Sequence, residues 1–475
     1  MARDFRPVDR DTGFLLPPDV RDWLPSGHLA WTVIDAVETL DLTALISAYR
    51  LGGRGRRAYD PAMMLTLLIY GYAVGQTSSR QIERSCEHDV AFRVITANQH
   101  PDHDTIAAFR TRHREVFAEL FTQVLVLCRA AGLVQVGTIA IDGTKLAANA
   151  SSRANRTAAG IEKSLAELGG STELGGSTEL GGVVEERLAA AESVDAAEDA
   201  QHGPGRRGDE PPEDMSDHSR RRAALQRAKQ ELEAREQEAA AARQAREDRY
   251  EQKVAAREAH KSVHGTYPKG RPPVEPAAPA GKPLRVNTTD PDSRTHRTSK
   301  GFLQGFNAQA TVSDDQVVIA VEIVDQTNDA GQLSPMIRAA IGNLDRAGIV
   351  EPVEVVLADA GYFHSDQIAD LNAVHRERRG PQVLVPPDRD SLRDPERQQP
   401  PLRQSAITKA MRDRLAEPEQ RARYRRRQAI VEPVFGQIKN RITDRFRLRG
   451  LPAVRSELTL IAVAHNLLKL HAACP

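Results

Sequence analysis

Two segments of the sequence place a single acid directly after a short apolar run. Residues 138–141 precede Asp142 and Gly143, and residues 353–358 precede Asp359. The β-branched residues of each run predict a buried strand, and the glycine that follows each acid predicts a turn. Binding groups collect at strand ends in α/β sheets, so both acids could hold a metal ion or act as a nucleophile. An Asp that only caps a turn is the alternative interpretation of one such motif taken alone.

A third acid, Glu432, lies in a strongly basic part of the chain. Lys439 follows it by seven residues, which is two turns of a helix, so the two side chains are expected to share a helix face. Three carboxylates from two strands and a helix could hold two divalent ions about 4 Å apart, and such a pair stabilises the attacking and leaving oxygens of a phosphodiester displacement. Hard carboxylate oxygens favour Mg²⁺ or Mn²⁺. The three acids therefore predict metal-dependent phosphodiester chemistry.

Charge is distributed unevenly along a chain whose net charge is zero. Residues 376–449 contain twenty Arg and Lys against ten Asp and Glu, whereas residues 153–214 contain six basic and fourteen acidic residues. Because phosphate neutralisation by Arg and Lys supplies most non-specific affinity for nucleic acids, a basic segment beside candidate catalytic acids indicates a nucleic-acid partner. A solvated, charged helix face is the alternative interpretation.

Composition argues against several other classes of protein. With 475 residues the chain is long enough for two to four compact units. Its longest apolar stretches, near residues 120–136 and 458–468, are interrupted by Gln, Arg, His and Asn, so no membrane span is expected. The N-terminus lacks the apolar core of a secretory signal, and the three cysteines are far apart, which indicates neither a disulfide framework nor a zinc site. A reducing cytoplasm is the expected location.

Residues 1–132, which precede the first of the three acids, have the pattern of a helical domain. A flexible basic linker at 52–57 precedes an apolar helix with Pro61 in its first turn; Thr77 or Ser78 is expected to cap the next helix, and Asp104 a later one. A helix-turn-helix-like unit would direct four side chains at DNA, namely Arg80, Gln81, Arg84 and Arg110. A plain helical domain with exposed arginines is the alternative.

Residues 151–284 interrupt the strand pattern. The hexapeptide Glu-Leu-Gly-Gly-Ser-Thr recurs from Glu167 to Gly182, and so short and Gly-rich a repeat predicts a flexible loop, because it cannot bury a core. From Arg220 to Lys261 the chain is rich in Ala, Glu, Arg and Gln, which predicts a solvated helix of roughly 60 Å that could pair with residues 183–200 as a coiled hairpin. This segment is expected to be an insertion.

Strand signals resume after the insertion. The expected elements are a hairpin of strands 305–312 and 316–324, a helix at 333–344, a strand at 353–358, a helix at 365–374 and a short strand at 382–386. With the strand that ends at Asp142 placed first, this order matches a ribonuclease-H-like sheet interrupted after its first strand. The sequence therefore predicts an α/β fold, in which a ribonuclease-H-like catalytic domain (133–150 and 285–475) follows an α-helical, DNA-binding domain (1–132). A long insertion (151–284), part helical and part disordered, would interrupt the catalytic domain.

Several motifs, in this order along the chain, resemble those of DDE-type transposases of bacterial insertion sequences. The matching segments are Ile141-Asp142-Gly143-Thr144-Lys145, Ala148-Asn149-Ala150-Ser151, Thr289-Asp290-Pro291-Asp292-Ser293, Gly305-Phe306-Asn307-Ala308-Gln309, Ala358-Asp359-Ala360-Gly361-Tyr362, Val431-Glu432-Pro433-Val434-Phe435-Gly436, and Arg449-Gly450-Leu451 with Ala464-His465-Asn466-Leu467-Leu468-Lys469. The resemblance covers nearly the whole chain. It implies a ribonuclease-H-like core in which Asp142, Asp359 and Glu432 are the catalytic and metal-binding triad for two Mg²⁺ or Mn²⁺ ions.

The resemblance also implies DNA contacts around Glu432. Lys439 occupies the position of a signature lysine, whereas the signature tyrosine and arginine, which usually precede the glutamate by seven and four residues, lie one place earlier here, as Tyr424 and Arg427. Pro433 lacks a backbone donor, so the helix is expected either to begin near the glutamate or to be kinked there. The expected DNA-binding residues are Lys439, Arg427, Tyr424, Arg425, Arg426 and Lys145, together with Arg80 and Arg84.

Two other motifs receive structural interpretations. Asp290 and Asp292 are expected to form a turn, with a metal or DNA-loop role as the alternative. His465 and Asn466 lie on an apolar helix, so a core-packing helix is expected there.

A member of this family would bind the terminal inverted repeats of its own element as a homodimer on paired DNA ends. It would cleave a strand to free a 3′ hydroxyl and join that hydroxyl to target DNA, in a bacterial, nucleoid-associated cytoplasmic location. The residues alone support only metal-dependent phosphodiester chemistry, so a ribonuclease-H-like nuclease without strand transfer and a non-enzymatic DNA-binding descendant stay open. A haloacid-dehalogenase-type phosphatase is disfavoured, because the nucleophilic Asp of its motif is replaced by Ala140.

Overall fold

The computed structural model describes residues 20–49, 58–170, 218–276, 283–299, 301–376, 380–393 and 404–474. The helices are α1 Leu29–Thr39, α2 Thr43–Ser47, α3 Pro61–Ala73, α4 Ser79–His88, α5 Val90–Ile95, α6 His103–Arg112, α7 Phe117–Ala130, α8 Ala158–Gly170, α9 His218–His264, α10 Leu333–Arg346, α11 Ser365–Arg376, α12 Ala406–Ala416, α13 Pro418–Gln437 and α14 Leu451–Ala473. The strands are β1 Thr138–Ala147, β2 Asn155–Arg156, β3 Val286–Asn287, β4 Arg294–Thr298, β5 Gly301–Ser313, β6 Val318–Val324, β7 Val355–Ala358 and β8 Gln382–Leu384. The expected linker at 52–57, the repeat beyond residue 170 and the hairpin partner at 183–200 lie outside the described residues. Within the described ranges, no helix is long and apolar enough to cross a bilayer.

The N-terminal part is helical, as the sequence predicts. Pro61 lies in the first turn of α3, and Ser78 is the N-cap residue of α4. The cap of α6 differs from expectation, because Asp102 accepts a hydrogen bond from the backbone N–H of Thr105 at 2.7 Å. Asp104, the expected cap, lies within the first turn, since α6 starts one residue before it.

A six-stranded mixed sheet forms the core of the second half of the chain. Its path is β4-β5-β1-β7-β8, with β6 paired to β5. β1 pairs antiparallel with β5 and parallel with β7, and β7 pairs parallel with β8. β5 and β6 form the antiparallel hairpin that the alternating pattern predicts. The parallel strands β1, β7 and β8 therefore direct their carboxyl ends to one edge of the sheet.

β1 is longer than the sequence predicts. The sequence predicts a strand that ends at Asp142, but β1 continues to Ala147 and pairs with the long strand β5 along that length. Gly143 pairs with Gln309 in the sheet, so the predicted turn at this glycine is wrong. The parallel pairing with β7 covers only residues 138–141. Asp142 thus still lies at the point where β1 separates from β7.

Helix α14 joins the N-terminal helices to the sheet. It packs against α3 and α7 and against β6, and one continuous hydrophobic core runs through both parts. The Asn466 side chain donates to the carbonyl of Val318 and accepts from its N–H, both at 2.9 Å, while His465 Nε2 hydrogen-bonds to the Gln316 carbonyl at 3.1 Å. The prediction of a core-packing helix at these residues is confirmed.

A turn at Asp290 and Asp292 holds the first residues of α14, which confirms the turn interpretation. Asp292 Oδ2 accepts from the Leu451 N–H at 2.6 Å, and Asp290 Oδ1 accepts from the Gly450 N–H at 3.3 Å. Acids at a helix N-terminus satisfy its free N–H groups and interact favourably with its dipole. Burial raises the pKa of Asp290 to about 6.

Helix α13 runs continuously through Pro433. It begins at Pro418, so of the two predicted alternatives the one in which the helix starts near Glu432 is wrong. A proline cannot donate to the carbonyl four residues earlier, which here belongs to Ala429. The Gln316 side chain donates to that carbonyl at 2.9 Å and so satisfies the acceptor that the proline leaves open.

The long charged helix predicted in the insertion is confirmed as α9, but its first turns are packed. Leu225 and Leu232 are buried against Ile161 of α8 and Val286 of β3, in a small core separate from the main one. The expectation of a helix solvated along its whole length is therefore wrong. Beyond Arg235, however, no residue of α9 is buried.

Candidate active site

Asp142 and Asp359 follow the paired ends of two adjacent parallel strands. The last pair of β1 and β7 is Ile141 with Ala358, so each acid comes directly after it. Asp359 also begins a 3₁₀ turn, in which its Oδ1 accepts from the Gly361 N–H at 2.8 Å. Because neighbouring parallel strands open to the same edge of a sheet, the register places both acids together.

Arg427 joins the third acid to this edge. Its Nη1 donates to Asp142 Oδ2 at 2.9 Å, and its Nη2 lies 3.4 Å from Glu432 Oε1. Arg427 and Glu432 are five residues apart on α13, which packs against β1. The structure therefore brings the predicted acids to one place, with a cation between two of them.

Burial raises the pKa of Asp142 to about 6, because desolvation disfavours the carboxylate. The Arg427 guanidinium and the Gly143 N–H, 2.8 Å away, oppose the rise, and the nearby charge of Asp359 adds to it. Acids with a strongly perturbed pKa at a sheet edge are candidates for a functional site. The charged form of Asp142 depends here on a neighbouring cation.

A fourth acid, Asp329, lies beside the site and was not identified from the sequence. Its Oδ1 accepts from Gln309 Nε2 at 2.7 Å and from Asn307 Nδ2 at 3.0 Å, and it lies 3.6 Å from Lys145 Nζ. A Cβ on Gly143 would collide with the Gln309 amide and lie 2.8 Å from Asp329 Oδ1. Glycine at that position therefore lets the loop carboxylate approach β1 closely.

Tyr362 completes this polar network. Its hydroxyl donates to Gln309 Oε1, and burial raises its pKa, with the charges of Asp329, Asp142 and Asp359 adding to the rise. Asn307 and Gln309 are two apart in β5, so they share a face, and polar residues at that spacing in an apolar strand could have identified them. The loop residue Asp329 has no comparable pattern around it.

Two lysines predicted to contact DNA lie near each other, and one of them, Lys145, lies near the acids. Burial lowers the pKa of Lys145, while Asp329, Asp142 and Asp359 oppose the fall. Lys439 lies in a π-helical turn after α13, and its pKa is lowered by burial and by the charge of Lys145. These two cations therefore form a basic side of the site.

The other residues predicted to bind DNA near α13 differ in exposure. Arg425 is exposed, and Arg426 forms an ion pair with Asp314. Tyr424 is buried beside Arg427, and burial raises its pKa. Of these three residues, Arg425 alone is exposed and forms no ion pair with a residue that the structure describes.

In the helical domain, Arg80, Gln81 and Arg84 of α4 are half-buried. Arg110 is buried instead of facing DNA, because α6 packs against α3 and α4. Its Nη1 donates to the Tyr72 hydroxyl at 3.2 Å and to the Thr77 carbonyl at 3.0 Å. The prediction that this arginine contacts DNA is therefore wrong.

No group of three His, Cys, Asp or Glu side chains among the described residues is arranged to hold a metal ion. At this edge of the sheet, Asp142 and Glu432 both contact the Arg427 guanidinium. The carboxylate oxygens of Asp142 and Asp359 nevertheless suit a hard divalent cation. The two acids follow adjacent strands, and burial shields the Asp142 carboxyl from water.

Two family models match the chain. The model described as Transposase domain (DUF772) matches residues 18–112, and the model described as Transposase DDE domain matches residues 281–467. The second match contains Asp359 and Glu432, whereas Asp142 lies before it. Neither the curated proteins nor the solved structures contain a significant match.

Proposed function

We propose that this chain, which belongs to the DDE-type transposases of insertion sequences, binds the terminal inverted repeats of its own element and catalyses metal-dependent DNA strand cleavage and strand transfer. One observation carries the proposal. Asp142 and Asp359 follow adjacent parallel strands, and Glu432 of α13 is joined to Asp142 through Arg427.

The topology supports a ribonuclease-H-like catalytic domain at 133–150 and 285–475. The elements β1, β5, β6, α10, β7, α11 and β8 follow the order that the sequence predicts for such a sheet. β4, β6 and β1 each pair antiparallel with β5, and β1, β7 and β8 are parallel. We assign residues 1–132 to a helical DNA-binding domain and 151–284 to an insertion.

The three acids would hold two Mg²⁺ or Mn²⁺ ions, which supply Lewis-acid stabilisation of the attacking and leaving oxygens when bound. Asp142 and Asp359 are held in place by the strand register. Glu432 would complete the set of metal-binding acids if the Arg427 guanidinium took another partner. A guanidinium forms bidentate hydrogen bonds with phosphate as well as with carboxylate, so a scissile phosphate provides Arg427 with an alternative partner.

Basic side chains around the acids would bind the DNA backbone. Lys145 and Lys439 contribute charge next to the site, and Arg425 and Arg426 contribute charge further out on α13. We assign Arg80 and Arg84 of α4 to contacts with the element end, and we infer a homodimer on paired ends. The target would be double-stranded DNA, and we place the reaction in the bacterial cytoplasm, in association with the nucleoid.

End-specific cleavage tests this function. Purified protein is incubated with Mg²⁺ and a labelled duplex carrying the ends that flank its gene, beside Asp359→Asn and the control Asp370→Asn, an exposed acid on α11. We expect nicking at the element end and joined products with the wild type and the control, and neither with Asp359→Asn. End-specific binding without cleavage by the wild type would indicate a non-enzymatic descendant, and cleavage regardless of the ends, without joining, would indicate a simple nuclease.

A further inference from the structure

In the exposed half of α9, from Glu236 to His264, five of the six Arg and Lys side chains form a basic row on one face. The row consists of Arg246, Arg249, Lys253, Arg257 and Lys261, and the sixth cation, Arg243, precedes it. Its last four members are spaced four residues apart, so they are neighbours on the helix surface. At 1.5 Å per residue, the stretch from Arg249 to Lys261 is about 18 Å long.

Alongside the basic row, the acids Glu247, Asp248 and Glu251 lie off its face, and Glu236 and Glu238 precede the row. Glu258 is linked to Lys261 through the Tyr267 hydroxyl. Glu247 pairs with Arg243 at 2.8 Å, whereas Arg246, Arg249 and Lys253 form no ion pair with any residue that the structure describes. These three members of the basic row are also exposed. Their charge is therefore available to a partner.

The row of like charges does not stabilise the helix itself. Like charges four residues apart destabilise a helix, and acids interleaved between them would have stabilised it. The exposed half also lacks an apolar seam for a partner helix, since its only large apolar residues are Tyr250, Val254 and Val263. The pattern thus favours a polyanion as the partner over a second helix.

The chain that follows α9 adds to the basic row. The Tyr267 ring lies over Arg257 and Lys261, at 5.6 and 4.4 Å, and Arg257 Nη1 donates to the Gly270 carbonyl at 3.5 Å. These contacts hold residues 265–276 against the row. The segment contributes Lys269 and Arg271, both exposed.

We propose that the basic row of α9, with the segment that folds back on it, binds the phosphate backbone of the element's DNA. The inference rests on the proposed function, which makes duplex DNA the substrate. A duplex carries its phosphates at 3.4 Å per strand, so the row from Arg249 to Lys261 matches about five base pairs. Contacts of this kind position the protein and carry no sequence information.

The salt dependence of DNA binding tests this proposal. The variant Arg246→Gln, Arg249→Gln, Lys253→Gln removes three cations and keeps good helix formers. The matched control is Glu247→Gln, Asp248→Asn, Glu251→Gln, which removes three anions that lie off the face of the row. Affinity for a 40-base-pair duplex carrying the element end is measured by fluorescence anisotropy without divalent metal over a range of NaCl concentrations, and circular dichroism reports the helix content.

We expect the cation variant to bind at least about tenfold more weakly at low salt, with the slope of log affinity against log salt reduced by about 2 to 3, since each phosphate contact contributes about 0.9. The control should keep the wild-type slope. An unchanged slope in a cation variant of wild-type helix content would overturn the proposal, as would an equal loss in both triple variants. Absence of salt-dependent binding by the wild-type protein would instead contradict the proposed function itself.

Discussion

Asp142 and Glu432 reach the same site in different ways. Asp142 lies on β1, directly after its last pair with β7, with a side chain that is 19% exposed, whereas Glu432 projects from a helix with a side chain that is 50% exposed. The register of β1 fixes the first acid, and an ion pair with Arg427 at 3.4 Å holds the second. The comparison indicates a preformed pair of acids on the sheet and an adjustable third acid on α13.

The largest effect is expected on DNA cleavage, from a substitution of Asp142 on the sheet. Asp142→Asn keeps the shape of the side chain but removes its charge, and we expect end cleavage to fall by at least about a thousandfold, because the loss of a metal ligand removes several kcal/mol of transition-state stabilisation. DNA binding should change by less than about twofold. A variant that keeps a tenth of the activity, or one that no longer folds, would count against the role given to Asp142.

The link between the two sides is Arg427. Arg427→Gln leaves Asp142 and Glu432 without their shared cation, which lets the pKa of Asp142 rise further and loosens the position of the helix acid. We expect cleavage to fall by about ten- to a hundredfold. Arg425→Gln, at an exposed position two residues earlier, is the control and should cost less than about threefold. Equal effects of the two substitutions would mean that Arg427 acts only through its general positive charge and not as the cation shared by Asp142 and Glu432.

The pH dependence of stability reports the burial of Asp142. Its pKa is raised from 3.8 to about 6 in the folded protein, so the folded state binds this proton more tightly. This contribution is fully present below about pH 4 and is lost as the pH rises through 6, a change of roughly 2 to 3 kcal/mol.

Urea unfolding of wild type and Asp142→Asn between pH 4 and 7 isolates that contribution. The free energy of unfolding of the wild type should fall relative to the variant as the pH rises. Asp290, whose pKa is also raised to about 6, is present in both proteins and cancels in the difference. A difference that is independent of pH would mean that Asp142 is not desolvated.

The smallest effect is expected on stability, from a substitution of Gln316, which hydrogen-bonds to α13. Gln316→Ala removes the donor to the Ala429 carbonyl that Pro433 leaves without a partner, and we expect a loss of about 1 kcal/mol in the free energy of unfolding. Gln437→Ala, which removes only an exposed contact to Gln316 at 3.5 Å, is the control. If both variants are as stable as the wild type, the side chain does not support the helix.

Much of the fold follows from local sequence signals. Alternating and β-branched runs locate the hairpin of β5 and β6, and periodic apolar residues locate α3, α10 and α14. The charged composition likewise predicts the long helix α9. These elements are determined by residues close together in the chain, so a single sequence is sufficient to find them.

Features that depend on contacts between distant parts of the chain could not be predicted from the sequence. β1 extends past Gly143 because β5 is long enough to pair with it, and Arg110 is buried because α6 packs on α3 and α4. Arg427 lies one place from its expected position in the signature, and only the packing of α13 on β1 brings it to Asp142. Asp329 comes from a loop, where no periodicity points to the site.

Iron-directed cleavage of the protein backbone tests most directly whether the acids on the sheet and the acid on the helix form one site. Fe²⁺ is bound in place of Mg²⁺, and ascorbate with peroxide generates hydroxyl radicals that cut the chain near the metal. The account predicts cuts near Asp142, Asp359 and Glu432 that excess Mg²⁺ suppresses and that Asp142→Asn abolishes. Cuts at the two sheet positions without one near Glu432, or cuts that persist in the variant, would contradict it.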